Sequence, residues 1–246
     1  MTALFISDLH LHADRPAGVD QFLKFIRTEA VEASALYILG DLFEAWIGDD
    51  DPDPAHAPII AALANLKRND VPCYFMHGNR DFLIGQRFSA ATGCHLLAEW
   101  HVAEISGQRV LLTHGDLLCT DDTPYMQLRA MVRDPAWQQE FLAKPLDERR
   151  AIADSLRQRS QTETASKPAD IMDVNAAAVA AALRAHDVRL LLHGHTHRPF
   201  VHEILVDDRP ATRIVLGAWY EQGSVLRWDD RGFRLEALEP QRRVAP

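Results

Sequence analysis

Five short apolar runs, each stopping at a polar side chain, constrain this chain more than any other feature. ALFIS ends at Asp8, ALYIL at Gly40-Asp41, PCYFM at His77-Gly78-Asn79, VLLT at His114-Gly115 and RLLL at His193-Gly194-His195. Each run is of strand length and rich in β-branched, leucine or aromatic residues, and each gives way to a loop. Between the early runs lie helical stripes, one over 16–30 (Phe22, Phe25, Ile26) and one over 56–68 (Ile59, Ile60, Leu63, Leu66). Strands alternating with helices predict a largely parallel sheet, whose ligands gather where the strands end. Every polar residue that stops a run sits at such an end.

From residue 199 the pattern changes to VHEILV, RIVLGAW, SVLRW and FRLEAL, separated by Asp-Asp-Arg-Pro and Asp-Asp-Arg-Gly turn signals. This predicts an antiparallel tail forming a second sheet packed on the first. The stretch 120–168 has no strand-like run and three proline-led helix starts, at Thr123-Pro124, Asp134-Pro135 and Lys144-Pro145. It predicts a helical insertion, a cap, within one domain spanning 1–246. Tyr125, Met126, Met131, Trp137, Phe141 and Leu146 are interleaved there with Arg129, Arg133, Arg149, Arg150, Arg157, Arg159 and Lys167. The plainer alternative is an amphipathic hairpin with a solvated basic face.

A formal net charge of −9 provides no global field for a nucleic-acid backbone, so no nucleic-acid partner is expected. Cys73, Cys94 and Cys119 form neither a CxxC pair nor a secreted framework, which favours a reducing compartment. MTALFISDLH lacks the marks of an export signal. AAAVAAAL at 176–183 falls well short of the ~20 residues that span a bilayer, so any membrane contact is expected to be peripheral.

Asp8-Leu9-His10 and His195-Thr196-His197 each put two ligand-type side chains on one side of an extended strand end. A lone histidine is usually structural; two such pairs at strand ends are poorly explained that way. With Asp41, Asn79 and His114 they make seven candidate metal ligands, nearly all beside a glycine that lets the backbone turn sharply. Carboxylates, imidazoles and one amide oxygen suit a borderline first-row divalent ion, with Mn²⁺ the expected choice over Fe²⁺ or Zn²⁺. Seven ligands exceed the needs of one ion, so two ions sharing Asp41 are the economical arrangement, about 3.5–4 Å apart and suited to hydrolysis at phosphorus.

SDLHL at 7–11, GDLFE at 40–44, HGNRD at 77–81, THGD at 113–116 and HGHTH at 193–197 resemble, in order and spacing, the calcineurin-like metallophosphoesterase family. The resemblance implies an α/β fold, a four-layer αββα sandwich with a dimetal site at its strand ends. It assigns Asp8, His10, Asp41 and His197 to one ion, and Asp41, Asn79, His114 and His195 to the other. Where the wider family reads Gly-Asn-His-Asp, this chain has Gly78-Asn79-Arg80-Asp81. Arginine cannot usefully give up a proton at neutral pH, but its planar fork can hold and neutralise phosphate oxygens. A phosphate leaving from an anhydride needs less protonation than an alkoxide, so Arg80 favours a pyrophosphate substrate.

The longer strings LFEAWIGDDD at 42–51, HGNRDFLIG at 77–85 and HGDLLCTDDTPYMQLR at 114–129 resemble the branch that cleaves UDP-2,3-diacylglucosamine in Gram-negative lipid A synthesis. That resemblance implies water attack on the α-phosphorus, giving UMP and 2,3-diacylglucosamine 1-phosphate. It places the enzyme peripherally on the cytoplasmic face of the inner membrane, with no obligate protein partner. Asn79, Arg80 and His195 are its implied catalytic residues; Asn79, Arg80, Asp122, Ser160, Thr164, Lys167 and His195 its substrate contacts. Arg157, Arg159 and Lys167 would face the diphosphate or membrane headgroups. Met126, Met131, Trp137 and Phe141 would line an acyl channel or simply pack helices, and Trp46 and Phe82 beside the ligand loops admit the same two readings. A broader phosphodiesterase or nuclease of the same family is the alternative, and a non-catalytic scaffold is disfavoured by the intact ligand set.

Overall fold

The first apolar run already dictates a layered architecture. In β1 (Ala3–Ile6) all four residues are buried, with Ala3 and Phe5 on one face and Leu4 and Ile6 on the other. A strand apolar on both faces must be covered on both. The computed structural model describes residues 2–166, 173–220 and 223–238, and only the backbone over 159–166. In it, β1 lies inside a six-stranded sheet with β2 (Ala35–Ile38), β3 (Cys73–Met76), β4 (His95–Leu97), β10 (Ser224–Asp229) and β11 (Gly232–Ala237), in the order β11-β10-β1-β2-β3-β4. The steps from β1 to β4 are parallel, and β10 meets β1 antiparallel.

The second sheet runs β5 (His101–Ile105), β6 (Gln108–Leu112), β7 (Leu190–His193), β9 (Arg209–Val215) and β8 (Phe200–Val206), in that order. Phe5, Tyr37, Leu39 and Trp228 of the first sheet meet Ala103, Leu112, Leu192 and Ile214 of the second in an apolar layer between them. Helices α1 (Pro16–Thr28), α2 (Ala57–Arg68) and α3 (Gln86–Thr92) cover the outer face of the first sheet through Phe22, Ile26, Leu63, Leu66 and Phe88. Helix α7 (Ala176–Ala185) covers the second through Val179 and Leu183. The result is the expected four-layer αββα sandwich.

The C-terminal strands depart from expectation. They do not make a sheet of their own: the β8–β9 hairpin joins β7, while the β10–β11 hairpin crosses to the first sheet and pairs with β1. Val225 and Leu226 of β10 are fully buried, on the helix side and the inter-sheet side respectively. That two-sided burial requires an interior position in a sheet, and β1 offers one.

The three proline-led starts open α4 (Thr123–Val132), α5 (Pro135–Leu142) and α6 (Leu146–Ser166). Asp122 caps α4 by accepting from Tyr125 N, and Asp134 caps α5 by accepting from Ala136 N and Trp137 N. Their arginines do not form one solvated face. Arg149 of α6 is 3% exposed and donates to Ile47 O (2.8 Å) and to both Asp50 carboxylate oxygens (2.7 and 2.6 Å), tying α6 to the loop after β2. Hydrogen bonds to charged groups contribute about 1.5–3 kcal/mol each, and the half-exposed Asp50 brings these towards the low end. Arg149→Leu is therefore expected to cost about 2 kcal/mol in denaturant unfolding and to open residues 143–158 to protease; an unchanged midpoint would remove this anchor.

Candidate metal centre

The seven candidate ligands come from five strand ends in both sheets. Asp8 and His10 follow β1, Asp41 follows β2, Asn79 follows β3, His114 follows β6, and His195 and His197 follow β7. The local geometry differs from the expected extended pairs. Asp8, His10, Asp41, His195 and His197 have φ of 56°, 49°, 53°, 65° and 58°. They are left-handed loop residues, and aspartate and histidine are among the side chains that best tolerate that region. Main-chain bonds hold them there: Asp8 N to Gly40 O (3.1 Å) and His10 N to Asp41 O (2.9 Å).

The neighbouring glycines serve a purpose beyond turning. Gly40 has φ of 90°, but Gly78 and Gly194 need space instead. A Cβ on Gly78 would lie 2.1 Å from Asp41 Oδ1, and one on Gly194 would lie 1.9 Å from Ser7 Oγ and 2.2 Å from Asp8 Oδ2. The carboxylates occupy the volume where a side chain would be.

Within this cradle the donor atoms converge. Asp41 Oδ2 lies 3.6 Å from His10 Nε2 and 3.8 Å from His114 Nε2. His197 Nε2 is 3.2 Å from Asp8 Oδ1, and the Asn79 amide oxygen is 3.0 Å from His114 Nε2 and 2.9 Å from His195 Nδ1. Asp8, His10 and His197 form one group able to hold a cation, and Asp8, Asp41 and His114 form another. One oxygen of Asp41 thus faces histidines on two sides.

Tautomers decide whether a metal fits. His114 Nδ1 lies 2.8 Å from Leu39 O, which can only accept, so that nitrogen carries the proton. In the neutral ring, Nε2 then presents a lone pair to Asp41 and Asn79 oxygens that are also acceptors. His10 Nδ1 faces Glu44 Oε2 at 3.3 Å, and its buried Nε2 has no hydrogen-bond partner among the described residues. Acceptors facing acceptors, with an orphaned nitrogen among them, fit divalent cations.

Electrostatics agree with the geometry. Burial alone would raise the Asp8 carboxyl, but the charge and hydrogen bond of His197, with the charges of His114 and His10, hold it well below the carboxylate range. Burial lowers the proton affinity of His114, yet Asp41, Asp8 and Asp116 carry it above its ordinary value. His195, buried and beside His114, is pushed down to about 4.

Several supporting residues lie outside the expected set. Asp81 is fully buried and accepts from the backbone N–H of Asp41, Leu42, Phe43 and Gly78 (2.7–3.4 Å), fixing two ligand loops together. It sits inside HGNRD, two residues after Asn79. Glu44 closes GDLFE. Tyr220, whose hydroxyl is 2.6 Å from His197 Nδ1, belongs to no motif and gave no sequence signal.

The expected substrate residues divide. Asn79 and Arg80 line a cleft of about 820 Å³ including its open mouth, together with Trp46, Ile47, Phe82, Tyr125, Trp137, Phe141 and Arg157. Trp46 and Phe82 therefore face this space while Met126 and Met131 do not, and Arg80 Nε is buried without a partner among the described residues. Arg129 belongs to the wall: it donates to Asp116 Oδ2 (2.6 Å) and pairs with Glu99. Asp122 caps α4. Ser160 and Thr164 lie in α6 where only the backbone is described, and Lys167 and the side chain of Arg159 lie outside the described residues.

The fold and this centre define a metallophosphoesterase: residues 1–199 match the model of the calcineurin-like phosphoesterases, and the chain belongs to that family, which uses divalent metals. More particularly, it is 53% identical over 227 residues to the UDP-2,3-diacylglucosamine hydrolase of Serratia proteamaculans (strain 568), covering 92% of this chain and 95% of that one. It is 54% identical, with the same coverage, to the enzyme of that name from Salmonella agona (strain SL483). Among solved structures, Yfce, a phosphoesterase from E. coli, matches at a TM-score of 0.47 and 17% identity over 100% of this chain and 97% of that one.

Gly194→Ala forces a Cβ onto Asp8 and Ser7 and is expected to cut bound metal well below wild type in the purified, folded protein, read by elemental analysis. Full metal occupancy in that variant would show that the close approach is dispensable.

Proposed function

We propose that this chain is a two-metal hydrolase that cleaves the pyrophosphate of UDP-2,3-diacylglucosamine, with water attacking the α-phosphorus to give UMP and 2,3-diacylglucosamine 1-phosphate. The observation that carries this reading is an apolar cleft whose wall includes Arg80 and the ligand candidate Asn79. A substrate whose diphosphate joins a nucleoside to an acylated sugar matches that junction, acyl chains in the cleft and phosphates at Arg80, and the names of the relatives point to the same compound.

Asp8, His10, Asp41 and His197 would hold one ion, and Asp41, Asn79, His114 and His195 the other, with Mn²⁺ the preferred metal. Bound there, the ions lower the pKa of water and polarise a phosphoryl oxygen. Asn79, Arg80 and His195 contact the diphosphate, and the Arg80 fork neutralises the departing phosphate without giving up a proton. Asp122, Ser160, Thr164 and Lys167 complete the substrate contacts from the segment 120–168, which acts as a cap within a single domain spanning 1–246. Trp46, Phe82, Trp137 and Phe141 exclude water from the acyl chains, strengthening the electrostatics next to them.

No described helix is long and apolar enough to cross a membrane. Met131 and Leu142, 46% and 40% exposed on the helices beside the cleft, support peripheral docking on the lipid surface, on the cytoplasmic face of the inner membrane. Neither nucleic acid nor an obligate protein partner is part of this reading.

Metal-stripped protein is expected to be inactive on UDP-2,3-diacylglucosamine and to recover with Mn²⁺ more than with Mg²⁺ or Zn²⁺, releasing UMP. Release of UDP would overturn the α-phosphorus assignment. Arg80→His should lower this activity about 100-fold or more, the scale of one lost electrostatic stabiliser, and raise turnover of a simple alkyl phosphoester. A fall on both substrates would contradict the leaving-group argument.

A further inference from the structure

The histidines of the centre are backed in two different ways. A metal-binding imidazole needs its remote nitrogen held, because that hydrogen bond sets the tautomer, the ring plane and the basicity of the donor atom. His114 leans on the main-chain carbonyl of Leu39 at 2.8 Å. His10 and His197 lean on side chains: Glu44 Oε2 lies 3.3 Å from His10 Nδ1, and the Tyr220 hydroxyl lies 2.6 Å from His197 Nδ1.

These two supports form one unit. The rings of His10, His197 and Tyr220 pack edge to face with all three centroid separations at 5.4 Å. Arg15 joins the supports, donating to Glu44 Oε2 (2.7 Å) and to His10 O (2.6 Å) with its guanidinium 5.6 Å from the Tyr220 ring centre. Glu44 is 13% exposed and pairs with Arg15 through the same Oε2 that faces His10. Tyr220 lies beyond the matched family segment 1–199, so this half of the support belongs to the C-terminal extension of the match.

We infer that Tyr220 and Glu44 are positioning residues that hold the cation position formed by Asp8, His10 and His197 through its two histidines, so that this position can be loosened while the one beside His114 is kept. The inference rests on the two-ion reading proposed above. A cation at this position would be held by the Nε2 atoms of His10 and His197, and their Nδ1 protons would then be donated to Glu44 Oε2 and the Tyr220 hydroxyl oxygen. Replacing the tyrosine oxygen by hydrogen removes the acceptor and frees the His197 ring to rotate, whereas the Leu39 carbonyl cannot be lost with any side chain.

The test is a Mn²⁺ titration of chelator-stripped protein, following the electron paramagnetic resonance signal of free aqueous Mn²⁺, for wild type, Tyr220→Phe and Glu44→Ala. Wild type should take up two equivalents. Each variant should keep one equivalent at wild-type affinity and bind the other about 10- to 100-fold more weakly. Metal-free Tyr220→Phe should melt at the wild-type temperature, separating lost positioning from lost folding. Two equivalents bound within twofold of wild type, or both weakened together, would overturn the inference. Fewer than two equivalents in the wild type would instead overturn the two-ion reading, and the inference with it.

Discussion

Everything in this molecule depends on the close approach of two strand ends that belong to different sheets. Asp8 ends the first strand of one sheet and Gly194 follows β7 in the other, with the Asp8 carboxylate in the space a Gly194 side chain would fill. Asp41 and Gly78 repeat the arrangement between neighbouring strands. That proximity is possible only because the inter-sheet layer, from Phe5 and Trp228 to Leu192 and Ile214, sets the sheets at a fixed separation. The sandwich thus acts as a calliper for the site. Five ligand candidates sit in the left-handed region, which disfavours L-residues by about 1–2 kcal/mol each. Main-chain hydrogen bonds and the four N–H groups gathered by Asp81 offset that strain.

The centre also concentrates acid. Asp8, Asp41, Asp81 and Asp116 are all buried, and each has a different means of tolerating it. Asp116 has Arg129, Asp81 has main-chain N–H groups, and Asp8 has Ser7 Oγ at 2.5 Å, His195 N at 2.9 Å and His197. Asp41 accepts from Arg80 N through one oxygen and leaves the other facing two histidines. Buried carboxylates that keep free lone pairs after such neutralisation are suited to cations rather than to mere structural pairing.

Much of this was legible in the chain because strand ends and glycines leave local signatures. ALFIS, ALYIL, PCYFM, VLLT and RLLL are strands, their polar terminators converge, and Pro124, Pro135 and Pro145 mark helix starts. What escaped was nonlocal. Nothing near SVLRW says that it pairs with a strand more than 200 residues earlier, since any strand buried on both faces reads alike. His95–Leu97 is too short to carry a period. Arg149 looks like any surface arginine of a polar helix until Asp50 and Ile47 O are brought to it. Period-two alternation suggested why Asp8 and His10 share a side, but the left-handed backbone provides the physical reason. Tyr220 could not be found at all, because its only signal is its distance to His197.

The crossing of the last hairpin into the first sheet has a consequence for how the protein comes into being. On the ribosome, β1 can find β2 within some 30 residues, but its other edge stays open until β10 is made more than 200 residues later. A contact of that sequence separation closes slowly, and an uncovered strand edge is a template for wrong pairing in the meantime. The backbone N–H of Trp219, just ahead of β10, donates to Asp8 O at 3.0 Å. The earliest residues of the centre are therefore locked by a segment made more than 200 residues later, so a product cut short before β10 keeps all seven ligand candidates yet lacks the strand that closes the sheet behind them.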